Sequence, residues 1–238
     1  MYILAIETTG PFGSVALIDE KGQVNSKASR EEMNHLKDLM PMAEELIKEA
    51  GISKSDLTAV AASAGPGSFT GIRIGVSTAR AIAQALDIPA IKVPTLEIFK
   101  EFCHGEKPVA VIFNARRGQV YGAVFDSDGG EILKPGPYML TEVLEVIDRE
   151  KLSPVFYGDG VNAYEDRITA FDKASEEGRY QSAETVALVA LKRYQQGQTC
   201  NYEELLPDYM REVEANQKLK SGQLAKERAA KLERLRNS

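Results

Sequence analysis

The chain has 238 residues, 43% of them hydrophobic, and a net charge of −6. That supplies a core for one large domain or two small ones, while no apolar run approaches the ~20 residues that cross a bilayer. The only cysteines, Cys103 and Cys200, lie far apart, and His35 and His104 are the only histidines, which argues against a disulfide framework or a zinc site and for a reducing, cytosolic compartment. From Arg211 onward there are eight basic and four acidic residues, so this stretch carries +4 and the remainder −10. An acidic body does not grip nucleic acid by itself, because phosphate contacts need clustered Lys and Arg.

The N-terminus, MYILAIETTG, lacks the basic flank of a signal peptide and reads as a buried strand over Met1 to Ile6. Glu7-Thr8-Thr9-Gly10-Pro11 breaks it with a polar turn. Ser14 to Ile18 and Gln23 to Ser29 read as further strands, joined by a hairpin turn over Asp19 to Gly22. A helix is predicted from Glu32 to Ala50, with Gly51 as its C-terminal cap and Pro41 as an internal kink or restart. Leu57 to Ala64 is an apolar strand. The stretch Ser63 to Leu86 then opens on Gly65-Pro66-Gly67 and continues with helical period, Ile72, Val76, Ala79, Ala83 and Leu86 sharing one stripe. Gly71, Gly75, Ala79 and Ala83, each four apart, form a second line of small residues that lets another backbone come close. Spacing alone fits two uses of that line: seating the helix on its own sheet, or receiving a partner.

A short strand at Ile91 to Val93 and a short helix at Thr95 to Cys103 lead to a recurrence of the opening. YILAIETTGPFGSVALIDEKGQV, from Tyr2, and PVAVIFNARRGQVYGAVFDSDGGEI, from Pro108, are each a strand, a polar turn, a strand, an Asp-led turn with glycine, and a strand. A repeat offset by about 106 residues predicts two similar sub-domains, 1–104 and 105–211. A helix at Thr141 to Glu150, a strand at Val155 to Tyr157 and a helix at Glu184 to Gln195 follow. Leu206 to Arg211 closes the globular part, and 212–238 is a charged tail, helical or solvated.

A strand, polar turn and strand, occurring twice, is the layout of an actin-like ATPase (ASKHA, ribonuclease H-like) α/β fold, in which two turns face each other across a cleft and grip phosphates. The phosphate-facing candidates are Glu7, Thr8, Thr9 and Gly10 in the first turn, and Asn114, Ala115, Arg116, Arg117 and Gly118 in the second. Glu7 is placed to hold Mg²⁺ through water, or else only to hydrogen-bond its turn. Its counterpart Asn114 carries no charge. GPGSFTG lacks the GK[ST] ending of a Walker loop, and no Ser/His or Cys/His pairing is apparent.

GPGSFTGIRIG, together with LAIETT, NARRGQVY and PDYMR, resembles the bacterial TsaB family, also called YeaZ, across Met1 to Arg211. The resemblance implies a non-catalytic partner of TsaD in installing threonylcarbamoyl on adenosine next to the anticodon of tRNAs. TsaE completes that assembly, and tRNA is reached through the complex. TsaD-like proteins carry a His-x-x-x-His metal pair where this chain has Thr95 and Phe99, so metal-dependent transfer and peptidase chemistry are not expected of it. The resemblance implies no cofactor in the isolated chain, with ATP or ADP and Mg²⁺ belonging to the assembled complex. It also places the contact with TsaD, or with a second copy, on the first two helices: His35, Leu36, Leu39 and Met40, and Gly71, Ile72, Ile74, Gly75, Thr78, Ala79 and Ile82. The small-residue line then becomes the crossing point, and Gly75→Leu is expected to abolish pairing while leaving the fold intact.

Two other classes remain. An actin-like small-molecule kinase or ATPase would use Glu7 and the two turns and bind Mg-ATP tightly. Direct RNA binding through the tail would show steep salt dependence that disappears on removing Glu212 to Ser238.

Overall fold

The structure is a computed structural model and describes residues 1–29 and 35–210. The charged tail from 211 onward and the expected helix start at Glu32 lie outside the described residues. Met1–Asp208 is one compact unit.

Among the described residues ten strands form two five-stranded sheets of the same construction. In the first, β1 (Tyr2–Glu7) pairs antiparallel with β2 (Ser14–Asp19) and β2 with β3 (Val24–Ala28); on its other side β1 runs parallel to β4 (Leu57–Gly65), and β4 to β5 (Ala90–Pro94). In the second, β6 (Val109–Asn114), β7 (Gln119–Phe125), β8 (Glu131–Met139), β9 (Val155–Tyr157) and β10 (Asp172–Lys173) repeat that arrangement, giving orders β3-β2-β1-β4-β5 and β10-β9-β6-β7-β8. The equivalence is strand by strand, β1 with β6 and so on. The duplication expected from the two opening patterns is therefore real, and the fold is of the actin-like class.

Apolar runs without alternation build the central strands because both faces are covered. Helix α1 (His35–Glu49) packs on β2 and β3, and α2 (Phe69–Leu86) on β1, β4 and β5. Between them they cover every strand of the first sheet. Helix α1 runs through Pro41 as one helix. On the second sheet α3 (Leu140–Arg149) packs against β7 and β8, and the four-residue α4 (Gly160–Ala163) against β6 and β9. Ala110, Ile112, Val124, Val143, Ile147 and Phe156 lie in that core.

The sub-domain boundary needs one correction. Helix α5 (Ala183–Gln195) follows the second sheet in sequence but touches all five strands of the first. Since α1 and α2 already cover one face, α5 lies on the other. Ala183 N–H donates to Ser14 Oγ at 2.9 Å, Cys200 and Ala90 exchange backbone hydrogen bonds, and Asp208 N–H donates to Ala64 O at 2.6 Å. Residues 183–208 thus complete the first sub-domain, not the second. Seven of α5's thirteen residues are buried, so its sequence shows little amphipathic contrast and does not declare which sheet it serves. A 3-10 segment, Thr95–Phe102, joins the two sheets: Phe99 is fully buried, 5.8 Å from the rings of both Phe113 and Tyr157.

Candidate functional site

Two features stand out: a cleft at the turns and an apolar groove between α1 and α2. The cleft holds about 640 Å³ and is lined by Thr9, Gly10 and Ser68 on the first sub-domain's side and by Asn114, Arg116 and Asp159 on the second's. Thr9 and Gly10 of the first turn and Asn114, Ala115 and Arg116 of the second thus line one cavity, whereas Glu7, Thr8, Arg117 and Gly118 do not.

Within the first turn the candidates are fixed by internal bonds. Glu7 is fully buried at the end of β1. Its Oε1 accepts from Thr9 N–H at 2.5 Å and from Thr9 Oγ1 at 2.6 Å, and Ser63 Oγ donates to its Oε2. Burial pushes its carboxyl above the ordinary range, against the pull of these donors. Glu7 thus ties its own turn to β4 and does not line the cleft; of the two roles weighed for it, the structure supports the turn bond. Thr8 Oγ1 donates to Gly71 O at 2.7 Å, and Ser68 N–H to Thr9 O at 2.8 Å, which locks the turn to the start of α2. Ser68 caps that helix, its Oγ accepting from Gly71 N–H. A Cβ on Gly67 would lie 2.6 Å from Thr9 Cβ, so the glycines of GPGSFTG serve close contact between loop and turn.

The second turn is shaped by Asn114. Its side-chain oxygen accepts from Arg116 N–H at 2.9 Å, and its own N–H donates to Asp159 Oδ1 at 3.0 Å. Arg116, Arg117 and Gly118 follow with φ of 65°, 55° and 77°, a left-handed run that is costly for the two arginines. Asp159, just before α4, has its carboxyl pushed up by burial. Gln181 reaches across from the segment before α5: its Nε2 is 3.4 Å from Thr9 Oγ1, and its amide carbon lies 2.7 Å from where a Cβ of Gly10 would be.

These residues do not fit a magnesium nucleotide. The one acidic candidate in the first turn is sealed, its counterpart is an amide, and Gln181 lies against Gly10. Among the described residues no cluster of His, Cys, Asp and Glu suits a metal. At the positions expected to depart from a metal pair, Thr95 Oγ1 accepts from Gly65 N–H at 3.1 Å and Phe99 belongs to the core.

The groove between α1 and α2, about 560 Å³, is lined by Met40, Ala43, Thr78, Ala81, Ile82 and Ala85 among others. Of the expected partner residues, Met40 is 43% exposed, and Ile74, Thr78 and Ile82 are half-buried. Leu39, Gly71, Ile72, Gly75 and Ala79 are buried in the chain's own core, which corrects their assignment to an exposed face. A Cβ on Gly71 would overlap the Thr8 carbonyl oxygen, and one on Gly75 the Thr8 hydroxyl. The line of small residues seats α2 on its own sheet. The side chains of His35 and Leu36 lie outside the described residues. Sequence reasoning missed Ala81 and Ala85, whose exposure only the packing reveals, and it missed Asp159 and Gln181. The Gly158-Asp159-Gly160 triplet was a weak signal for Asp159; nothing in the sequence marks Gln181.

A family model described as TsaD: tRNA N6-adenosine threonylcarbamoyltransferase matches residues 22–219. The tRNA threonylcarbamoyladenosine biosynthesis protein TsaB of Escherichia coli (strain K12) is 30% identical over 233 residues, covering 92% of this chain and 98% of that protein. Its namesake in Bacillus subtilis (strain 168) is 28% identical over 228 residues, covering 92% and 97%. A solved structure from Pseudomonas aeruginosa, of an uncharacterized protein with similarity to peptidase YEAZ, superposes with a TM-score of 0.77 at 26% identity, covering 88% of this chain and 99% of that one.

Proposed function

The chain belongs to the TsaB (YeaZ) family, and on that premise we propose that it is the non-catalytic, partner-binding subunit of the assembly that installs threonylcarbamoyl on tRNA adenosine. A role in threonylcarbamoyladenosine biosynthesis is carried by the relatives that match over nearly its whole length. The particular role rests on one contrast within the molecule. The cleft where an actin-like enzyme would hold its nucleotide has the acidic residue of its first turn sealed and an amide at the second, whereas α1 and α2 present an apolar groove that is open among the described residues.

The partner is a TsaD-type transferase, and the surface is Met40 with Ile74, Thr78, Ala81, Ile82 and Ala85. Burying such a face is favourable at about 25 cal/mol per Å², and a standard interface removes on the order of 1,600 Å² in total. The same groove receives a second copy of this chain when the transferase is absent, so the two associations compete. TsaE joins the assembled pair, and nucleotide with Mg²⁺ is bound by the complex and not by this chain alone. The acidic body leaves tRNA contact to the partners. Among the described residues no helix is long and apolar enough to cross a membrane, and the protein acts in the cytoplasm.

The test is reconstitution: the adenylate-forming enzyme, the transferase, TsaE, tRNA, threonine, bicarbonate and ATP, with and without this chain. Modification that requires the chain and survives Asp159→Asn supports a non-catalytic subunit. Modification independent of the chain overturns the reading. Tight Mg-ATP binding by the chain alone restores the kinase or ATPase alternative.

A further inference from the structure

The groove between α1 and α2 is an apolar face that the described residues leave open. Met40, Ala43, Ile47, Ala81, Ile82 and Ala85 line it. Along α2 it runs from Ser77 to Leu86, about 14 Å at the rise of a helix. Ala43, Ala81 and Ala85 carry only a methyl group, so a third helix can lie close against both walls. The charges in those walls, Glu44 and Lys54, pair at 2.9 Å with side chains 59% and 61% exposed. A pair so exposed contributes little and yields easily to another partner.

The chain itself carries a segment that matches this groove. Leu224, Ala225, Leu232 and Leu235 fall within an arc of about 100° if their stretch is helical. Leu224 and Leu235 then stand about 16 Å apart, close to the length of the groove. Arg228 shares the arc, and its long stem can pack among apolar neighbours while its guanidinium reaches a carboxylate such as Glu44. The stretch from Arg211 onward carries +4 and the rest of the chain −10, so the body attracts it.

The tether also fits. Asp208 N–H donates to Ala64 O at 2.6 Å, and a Cβ on Gly65 would overlap the Asp208 carbonyl oxygen. Asp208 is thus anchored at the end of β4, where the chain turns toward α2. Tyr209 to Leu224 is sixteen residues, about 50 Å when extended. Leu86, at the far end of the groove, lies about 26 Å along α2 from Phe69. A tether with that slack holds the segment near the groove at high effective concentration.

We propose that Leu224 to Leu235 docks as a helix in the α1–α2 groove of its own chain. The docking stands on the groove and the segment alone. Its consequence, that a TsaD-type partner or a second copy must displace the segment, rests on the reading of this groove as the partner surface.

The experiment uses the full chain, which has no tryptophan. Leu232→Trp places one emission signal in the segment, and a synthetic peptide of residues 212–238 with the same change gives the solvent value. The expected result is emission to the blue of the peptide's, unchanged on dilution, that returns to the peptide's value when Ile82→Glu is added. Peptide-like emission in the full chain overturns the proposal, as does a blue shift that Ile82→Glu leaves in place. A shift lost on dilution overturns it in favour of segments exchanged between copies. In the otherwise unaltered chain, Leu224→Glu with Leu235→Glu frees the groove and is expected to raise affinity for the TsaD-type partner about threefold or more. A blue shift relieved by Ile82→Glu together with unchanged partner affinity upholds the docking and overturns the groove's role as the partner surface.

Discussion

The hydroxyl of Thr8 donates to the carbonyl of Gly71 at 2.7 Å, and nothing larger than hydrogen fits on Gly71 without striking the Thr8 backbone. One turn beyond, Gly75 faces the same hydroxyl. The end of β1 and the first turns of α2 are thereby held at backbone contact.

Enlarging either glycine therefore acts on stability. Gly71→Ala is expected to destabilise the body by about 2–4 kcal/mol, since the clash is with backbone and cannot be relieved by a rotamer change. For a domain of this size that lowers Tm by roughly 5–15 °C. Gly75→Leu is expected to cost more and to reduce soluble yield. A Gly75→Leu protein with wild-type Tm but no partner binding would restore the small-residue line as an interface.

Changes on the uncovered face should act the other way. Ile82→Glu places a charge in the apolar groove while leaving α2's seat untouched. Its Tm is expected to stay within about 2 °C of wild type, as for a surface change, while affinity for the TsaD-type partner falls about 30-fold or more. Ala81→Arg is expected to do the same by obstruction. Sedimentation velocity on mixtures reads both, and wild-type affinity in both variants removes this groove from the interface.

Glu7 gives the stability a pH dependence of predictable sign. Its folded pKa lies above the ordinary carboxylate value, so the folded state holds its proton more tightly than the unfolded one. The stability it contributes is fully present below the unfolded pKa, about 4.3, and is lost as pH rises through the folded value. Glu7→Gln, which mimics the protonated form, is expected to flatten that part of the profile. Urea unfolding across the acidic range measures it, and an unchanged slope in the variant shows that another group is responsible.

Burial and the neighbouring Asp126 push the Cys103 thiol up to about 11. Because the thiolate is the nucleophile, alkylation of Cys103 at neutral pH is expected only after unfolding. Peptide mapping after iodoacetamide treatment checks this; rapid native labelling would mean that this region opens readily.

The architecture was legible because two hairpins repeat at a fixed offset and their strands are apolar without interruption. The cleft followed from the likeness of that repeated layout to actin-like proteins, in which the two turns face each other. The use of α2's faces was not legible. A line of Gly71, Gly75, Ala79 and Ala83 satisfies close approach to any backbone, and only the position of Thr8 shows that the neighbour is the chain's own sheet. Likewise, Gln181 is 172 residues from Thr9, a separation at which periodicity and spacing carry no information about contact.

The return of α5 to the first sheet has a consequence for synthesis. When β5 leaves the ribosome at Pro94, one face of the first sheet has no cover, and α5 is complete only at Gln195. At roughly 5–20 residues per second, the intervening hundred or so residues take on the order of 5–20 s. For that interval the nascent chain carries bare apolar strands, a state that favours association with chaperones over early domain closure. The first half of this protein is thus the last to be finished, and a chain truncated before α5 is expected to aggregate even though all five strands of its first sheet are present.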